Sequence, residues 1–155
     1  MGHGDCYEVI CPQNAEEFCA AWDEAGPCII MHTHGSAQSL CNQLEDGSVV
    51  NLITLDQLKE MPRSKTIRLV VVTACETAGG DPLDNVASVL SQKISPRGLV
   101  IANVYPVWGA DTYFGEKHER NGWTVYQDGE IIRHPDELPV TITLDYACKL
   151  FLNMP

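Results

Sequence analysis

One cysteine and two histidines follow apolar segments that have the character of buried strands. Residues 69–72 are all aliphatic, and Cys75 stands shortly after them, directly before a glycine-containing turn. The segment 28–31 has a similar design and leads into His32 and His34. Such runs predict buried strands, and open α/β sheets carry their chemistry at the carboxyl ends of parallel strands. If the two strands are parallel neighbours, a thiol and an imidazole meet at one edge of the sheet.

These residue types in this arrangement suit nucleophilic catalysis. A thiol becomes a strong nucleophile when a neighbouring imidazole takes or shares its proton. Gly35 follows His34 directly, so the backbone can approach a ligand closely, and the amides of Gly35 and Cys75 are candidates to stabilise an oxyanion. Alternation along a strand puts His32 and His34 on one face, so both are candidates for the site. A structural role for each residue stays open here, because an isolated cysteine or histidine is more often structural than catalytic.

Composition limits the class of protein. The chain has 155 residues, of which 45% are hydrophobic and 20% charged, as expected for one globular domain spanning 1–155. The formal net charge of -11 argues against nucleic acid and anionic membranes as partners. No apolar run reaches membrane-spanning length, and no secretory signal is recognisable. We therefore expect a cytoplasmic protein.

The cysteine pattern argues against a disulfide framework. The chain has seven cysteines, an odd number, and Cys28 and Cys148 lie inside apolar stretches. This pattern predicts buried free thiols in a reducing compartment. No Cys-x-x-Cys pair occurs, so a zinc ribbon or a thioredoxin-type redox site has no support.

The predicted strands and helices alternate along the chain. Strands are expected at 28–34, 48–53, 68–75 and 98–105, and helices at 15–25, 55–61, 84–90 and 143–152. This alternation predicts a parallel sheet covered by helices. The segment 35–46 is assigned to a short helix or an ordered loop, because Leu40 and Leu44 have helical spacing. Residues 123–132 predict a C-terminal β-hairpin with an Asp-Gly turn.

The two motifs together resemble a known family. His34 and Gly35 after one strand, combined with the Thr-Ala-Cys-Glu-Thr-Ala-Gly-Gly run at 73–80, are similar to the motifs of the CHAT branch of the caspase-like (clan CD) cysteine peptidases. The similarity continues through 84–90 and 98–107 and covers roughly residues 28–111. It implies a caspase-like three-layer α/β/α sandwich with a mostly parallel central sheet and, here, the C-terminal hairpin.

The resemblance also implies an activity, that of a cysteine endopeptidase. Cys75 would be the nucleophile and His34 the general acid/base, and the amides of Gly35 and Cys75 would form the oxyanion site. No third catalytic residue, cofactor or metal is expected. The expected partner is a peptide or protein substrate, and a regulatory partner is left open.

Four residues are candidates for substrate binding: His32, Glu76, Trp108 and Asp111. Asp111 follows the strand at 98–105, at a sheet edge where a specificity pocket could lie, and an acidic residue there would favour Arg or Lys before the scissile bond. Alternatives remain for each residue. Asp111 and Glu76 would otherwise be solvated loop residues, Trp108 a core aromatic, and His32 a packing neighbour or an orienting group for His34.

Two other functions remain open. His-x-His on one strand can chelate zinc, so His32 and His34, with Cys75 as a third candidate, could form a metal site. Alternatively, a caspase-like fold could serve as a catalytically silent binding or scaffold module, because resemblance in fold does not establish activity.

Overall fold

The computed structural model describes residues 8–104, 122–133 and 144–154. The helices in these ranges are α1 (Ala15–Glu24), α2 (Leu55–Glu60), α3 (Val86–Ser91) and α4 (Leu144–Leu152). The strands are β1 (Cys28–His32), β2 (His34–Gly35), β3 (Ser39–Gln43), β4 (Val49–Thr54), β5 (Leu69–Thr73), β6 (Leu99–Asn103), β7 (Trp123–Gln127) and β8 (Glu130–Arg133). The chain therefore has a mixed α/β fold, as the alternation of its elements predicts.

The central sheet has the strand order β1-β5-β6-β7-β8. β1, β5 and β6 are parallel, whereas β7 pairs with β6, and β8 with β7, in the antiparallel sense. Every residue of β5 and β6 is buried, which explains their nearly continuous aliphatic sequence. β7 and β8 are joined through Asp128 and Gly129, whose φ angles of 48° and 88° match a turn that needs left-handed backbone.

The two faces of the central sheet are covered differently. Val70 and Val72 of β5 pack into a core cluster that also contains buried residues of α1, α2, α3 and β4. Leu69 and Val71, which point to the other face, pack in a second cluster with Ala147 of α4. A second sheet of order β2-β3-β4 contributes Leu40 and Ile53 to the first cluster, so both sheets share one core.

The helices α1 and α2 begin at side-chain caps. Asn14 accepts a hydrogen bond from the amide of Glu17 at 2.9 Å. Thr54 and Gln57 form a reciprocal capping box at the start of α2. Each cap accepts a hydrogen bond from an amide that has no partner within the helix. Because the cap and this amide are only a few residues apart, the start of such a helix can be predicted from the local sequence.

Two predictions about the segment 28–46 are wrong. β1 ends at His32, and His34 begins a strand of the other sheet, so the predicted strand 28–34 is two strands joined at Thr33. β1 is also only half-buried, because it pairs within the described residues with β5 alone. The segment 35–46 contains β3 rather than a helix, since pairing of Ser39–Gln43 with β2 and β4 outweighs the helical spacing of its leucines.

The cysteines in the described part of the chain are less buried than predicted. None of the six cysteines in these ranges forms a disulfide. Cys11 is exposed and the other five, at positions 19, 28, 41, 75 and 148, are half-buried. Among the described helices, none has the length and apolar character needed to cross a membrane.

A core substitution tests the placement of β6. Ile101 is fully buried in β6, so Ile101→Ala should lower the free energy of unfolding by about 2–5 kcal/mol through lost burial and a cavity. Urea denaturation measures this loss. The matched control is Ile132→Ala on β8, where the side chain is 44% exposed and the change should stay within about 0.5 kcal/mol. Equal losses for the two variants would contradict the assignment of β6 to the sheet interior.

Candidate functional site

The parallel pairing of β1 with β5 brings the two predicted motifs together. In this register His32 lies opposite Thr73, so β1 and β5 end at the same edge of the sheet. His34 and Cys75 each come two residues further along. The hypothesis that the strands are adjacent and parallel is therefore confirmed.

A cavity of about 250 Å³ lies at this edge. It is lined by His32, Thr33, His34, Asn42, Gln43, Thr73 and Cys75. The thiol-bearing residue and both histidines thus border one space. The rest of the lining is neutral and polar, contributed by threonine hydroxyls and side-chain amides, so it offers hydrogen bonds and no fixed charge.

His32 is held by a hydrogen-bond chain that links β1 to β5. Its Nδ1 lies 2.9 Å from Oγ1 of Thr73, and the Thr73 hydroxyl donates to the carbonyl of Met31 at 2.7 Å. Thr73 is only 3% exposed, so this hydroxyl is fixed within the sheet. The His32 ring is therefore oriented from the interior of the protein.

His34 is positioned by the second sheet. It pairs with Cys41 in β3, and Gln43 lies two residues further on the same face of that strand. Its Nε2 lies 3.2 Å from Oε1 of Gln43. The preceding residue, Thr33, donates its hydroxyl to the carbonyl of Cys41, which ties the junction between the two sheets to β3.

The turn after Cys75 has a strained residue at its start. Glu76 has a φ of 56°, a left-handed conformation that is uncommon for a residue with a side chain and costs on the order of 1–3 kcal/mol. Hydrogen bonds hold the turn in place: the amide of Gly79 donates to the carbonyl of Glu76 at 2.8 Å, and that of Ala78 to Asn103 of β6 at 3.0 Å. The backbone at Cys75 is consequently tied to the end of the neighbouring strand.

Asn85 connects this turn to the helix that follows. Its side-chain oxygen caps α3 by accepting from the amide of Ser88 at 2.8 Å. Its side-chain nitrogen donates to the carbonyl of Gly79 and to the hydroxyl of Tyr126, both at 3.1 Å. Asn85 is fully buried, so one side chain joins the turn, α3 and β7.

Gly35 is in close contact with the Cys75 turn. A Cβ atom at this position would lie 3.0 Å from both the Cβ of Ala74 and the Cγ2 of Thr77, and 3.3 Å from the carbonyl of Ser39. The predicted close approach therefore exists, and it joins β2 to the residues on either side of Cys75. It places the backbone that carries His34 against the backbone that carries the thiol.

Two of the other thiols are poorly suited to be nucleophiles. Burial raises the pKa of the Cys28 thiol to about 11, with charge repulsion from Cys148 as a second cause. Burial, with Asp23 as a smaller cause, also raises the pKa of Cys19. A raised pKa keeps these thiols protonated at neutral pH, and the protonated form is unreactive.

The remaining predicted site residues are placed as follows. Glu76 is exposed beside Cys75 and is not among the described lining residues of the cavity. Trp108 and Asp111 lie outside the described residues. No group of three or more His, Cys, Asp or Glu side chains in the described ranges is arranged to hold a metal ion.

Several residues of the site were not predicted from the sequence. Thr73 interrupts an otherwise aliphatic strand two positions before Cys75. The alternation of side chains along a strand could have predicted that Thr73 lies on the same face as Cys75. Asn42 and Gln43 lie in the segment that was assigned to a helix or loop, so their part in the cavity was not foreseeable from that assignment. Comparisons of this chain with known protein families, curated proteins and solved structures found no match.

Substitution of Gly35 tests the contact between β2 and the Cys75 turn. Gly35→Ala should lower the free energy of unfolding by about 1–3 kcal/mol, because the added methyl group forces the two segments apart. The matched control is Gly26→Ala, since a Cβ there has no neighbour within 4 Å. Urea denaturation compares the two variants, and an equally mild effect at both positions would contradict the close approach.

The role of Asn85 can be compared with that of another helix cap. Asn14→Ala removes an exposed cap and should cost about 1 kcal/mol of unfolding free energy. Asn85→Ala should cost roughly twice as much or more, because it also leaves buried partners at Gly79 and Tyr126 unsatisfied. Thermal or urea denaturation of both variants measures the difference. Equal losses would mean that Asn85 acts as a cap alone.

Proposed function

We propose that this chain is a cysteine peptidase with a caspase-like, CHAT-type catalytic arrangement. Cys75 is the nucleophile and His34 the general acid/base. The observation that carries the proposal is that Cys75, His32 and His34 border the same cavity at the carboxyl edge of parallel strands. Peptidases of this kind need a thiol and an imidazole on a common substrate-accessible surface.

The hydrogen bond of His34 favours a particular direction of proton transfer. An amide oxygen only accepts hydrogen bonds, so Nε2 of His34 carries the hydrogen that is shared with Oε1 of Gln43. In the neutral ring Nδ1 is then the basic nitrogen. In the proposed reaction the Cys75 proton moves from sulfur to Nδ1 of His34, and the thiolate attacks the carbonyl carbon of the scissile peptide bond.

The following steps use the backbone around the same cavity. Attack on the carbonyl produces a tetrahedral oxyanion, for which the amides of Gly35 and Cys75 are the proposed donors. The His34 imidazolium then donates its proton to the leaving amine as the carbon–nitrogen bond breaks. Water, deprotonated by the neutral imidazole, hydrolyses the thioester and regenerates the thiol. The close contact of Gly35 with Ala74 and Thr77 supports this role, because it brings the two amide-bearing segments together.

The cavity suits a short part of a peptide. Its volume of about 250 Å³ is below the range of roughly 300–1,000 Å³ that is typical of pockets for whole small molecules. The lining amides and hydroxyls can hydrogen-bond an extended backbone. We also propose a preference for Arg or Lys before the scissile bond. Two acidic residues support it: Asp111, the candidate from the sequence, and Glu76, which is exposed next to Cys75. The net charge of -11 favours the approach of basic peptides.

The fold and the state of the thiols support the same assignment. Parallel strands with helices packed on both faces of the sheet are the elements that a caspase-like α/β/α sandwich requires. The absence of disulfides among the six cysteines of the described residues is compatible with the proposed cytoplasmic location, where thiols stay reduced.

Labelling with an electrophilic peptide tests the nucleophile. A peptidyl acyloxymethyl ketone ending in Arg or Lys should modify Cys75 at least about 10²-fold faster than any other thiol, because activation by an imidazole is specific to that site. Peptide mapping by mass spectrometry locates the modified residue. Cys11 is the internal control: it is exposed, whereas Cys75 is half-buried, so reactivity governed by exposure alone would appear at Cys11.

Cleavage of a peptide library tests the reaction itself. Cys75→Ala should abolish cleavage, and His34→Gln should lower kcat/KM by about 10²–10⁴-fold. Cys41→Ala is the control, because it removes a half-buried thiol of β3 that has no proposed catalytic part. Uniform labelling of all thiols, with no peptide cleaved, would overturn the proposal. A partner bound equally well by the wild type and Cys75→Ala would then identify a binding module.

A further inference from the structure

We infer that Gln43 is a positioning residue for His34, and that the turn between β3 and β4 holds Gln43 in the orientation this role requires. The inference rests on the proposed function and deepens it, because it adds a residue from a third strand to the site. Gln43 contacts the His34 ring through its side-chain oxygen and the carbonyl of Gly47 through its side-chain nitrogen. The side chain therefore connects a histidine of the cavity to the turn.

The orientation of the Gln43 amide follows from these two contacts. Its nitrogen lies 3.5 Å from the carbonyl oxygen of Gly47, and its oxygen lies 3.2 Å from Nε2 of His34. A backbone carbonyl only accepts hydrogen bonds, so the group that faces Gly47 must be the amide nitrogen. The reverse orientation would place two oxygen atoms against each other. The contact with Gly47 thus determines that an oxygen faces the His34 ring.

Hydrogen bonds within the turn hold the Gly47 carbonyl. The amide of Leu44 donates to the carbonyl of Ser48 at 2.8 Å, and the amide of Gly47 donates to the carbonyl of Leu44 at 2.9 Å. The carboxylate of Asp46 accepts from the amide of Ser48 at 2.9 Å. Gly47 has a φ of 86°, which is left-handed backbone that glycine adopts without strain. The turn is therefore a defined support for the Gln43 amide.

The register of β2 and β3 explains why a side chain as long as glutamine is found here. His34 pairs with Cys41, so Gln43 is its diagonal neighbour on the same face, at a separation that long side chains can bridge. Both side chains are exposed, and water could hydrogen-bond either of them. The contribution of Gln43 is therefore the orientation and the tautomer that it imposes on the ring.

This tautomer has a chemical consequence for the proposed reaction. In neutral His34 the hydrogen is on Nε2 and the lone pair that binds a proton is on Nδ1. When the S–H bond of Cys75 breaks and an N–H bond forms at Nδ1, a thiolate and an imidazolium result. The bond from Nε2 to Gln43 is present before and after this transfer, and it becomes charge-assisted and stronger on the imidazolium. Gln43 thus stabilises the protonated ring without itself accepting a proton.

Nuclear magnetic resonance tests the positioning independently of catalysis. Long-range ¹H–¹⁵N correlation spectra of ¹⁵N-histidine-labelled protein, at a pH where His34 is neutral, should show hydrogen on Nε2 of His34. The variant His34→Gln assigns the signal. Gln43→Glu keeps an acceptor and should retain this tautomer, whereas Gln43→Lys offers only donors and should shift the population towards hydrogen on Nδ1. Hydrogen on Nδ1 in the wild type, or equal populations in all three proteins, would overturn the inference.

Peptide cleavage tests the contribution of Gln43 to the reaction. Gln43→Met keeps an unbranched side chain without the amide, and it should lower kcat about tenfold with KM little changed, because Gln43 acts on His34 and not on the substrate. Gln43→Glu should restore most of kcat, and Gln43→Lys should not. The matched control is Val49→Ala: Val49 pairs with Gln43 from β4 and is 58% exposed, so kcat should not change. Equal values of kcat in the Met, Glu and Lys variants would contradict the positioning role.

Failure of this inference can be separated from failure of the proposed function. The expected tautomers in a protein that cleaves no peptide would retain the positioning of His34 by Gln43 and reject the peptidase. Cleavage through Cys75 that keeps its full kcat in Gln43→Met would retain the peptidase and reject the positioning role. Because Gln43 is exposed, its variants should fold as the wild type does, and circular dichroism checks this.

Discussion

The in-register parallel pairing of β1 with β5 is the constraint on which the site depends. Because both strands run in the same direction, with His32 opposite Thr73, the residues that follow them emerge at one edge of the sheet. Strands in a sheet lie about 4.8 Å apart, so groups that are far apart in sequence become neighbours in space. The small sheet β2-β3-β4 lies in the connection between the two strands, and it supplies His34, Asn42 and Gln43 to the same cavity.

Rigid attachment of the Cys75 turn is the second requirement. Left-handed backbone at Glu76 is unfavourable by itself, and it persists only where surrounding contacts determine it. Here the turn is bonded to β6 through Asn103 and to α3 and β7 through Asn85. Gly35 packs on its other side. A side chain attached to backbone held in this way loses little freedom when a ligand binds, which is the condition that an organised site requires.

Buried polar side chains in this protein connect separate helices, strands and turns through hydrogen bonds. Ser88 and Ser91 of α3 bond to the carbonyl and the amide of Gly129, which links the helix to the turn between β7 and β8. Asn85 makes a similar link at the start of that helix. Thr73 differs, because its bonds lead from β5 to Met31 and to the ring of a cavity histidine. Buried side-chain hydrogen bonds therefore stabilise the fold around α3, and around Thr73 they orient the His32 ring.

Local sequence alone determined the parts of the structure whose causes lie within a few residues. The aliphatic runs of β5 and β6 and the caps Asn14, Thr54 and Asn85 act locally. Tertiary structure decided that β1 ends at His32, that residues 39–43 form a strand, and that Thr73 and Gln43 contact the two histidines. These features depend on partners contributed by distant segments. A strand acquires its partners only when the sheet assembles, so neither the spacing of leucines nor the identity of one threonine could specify them.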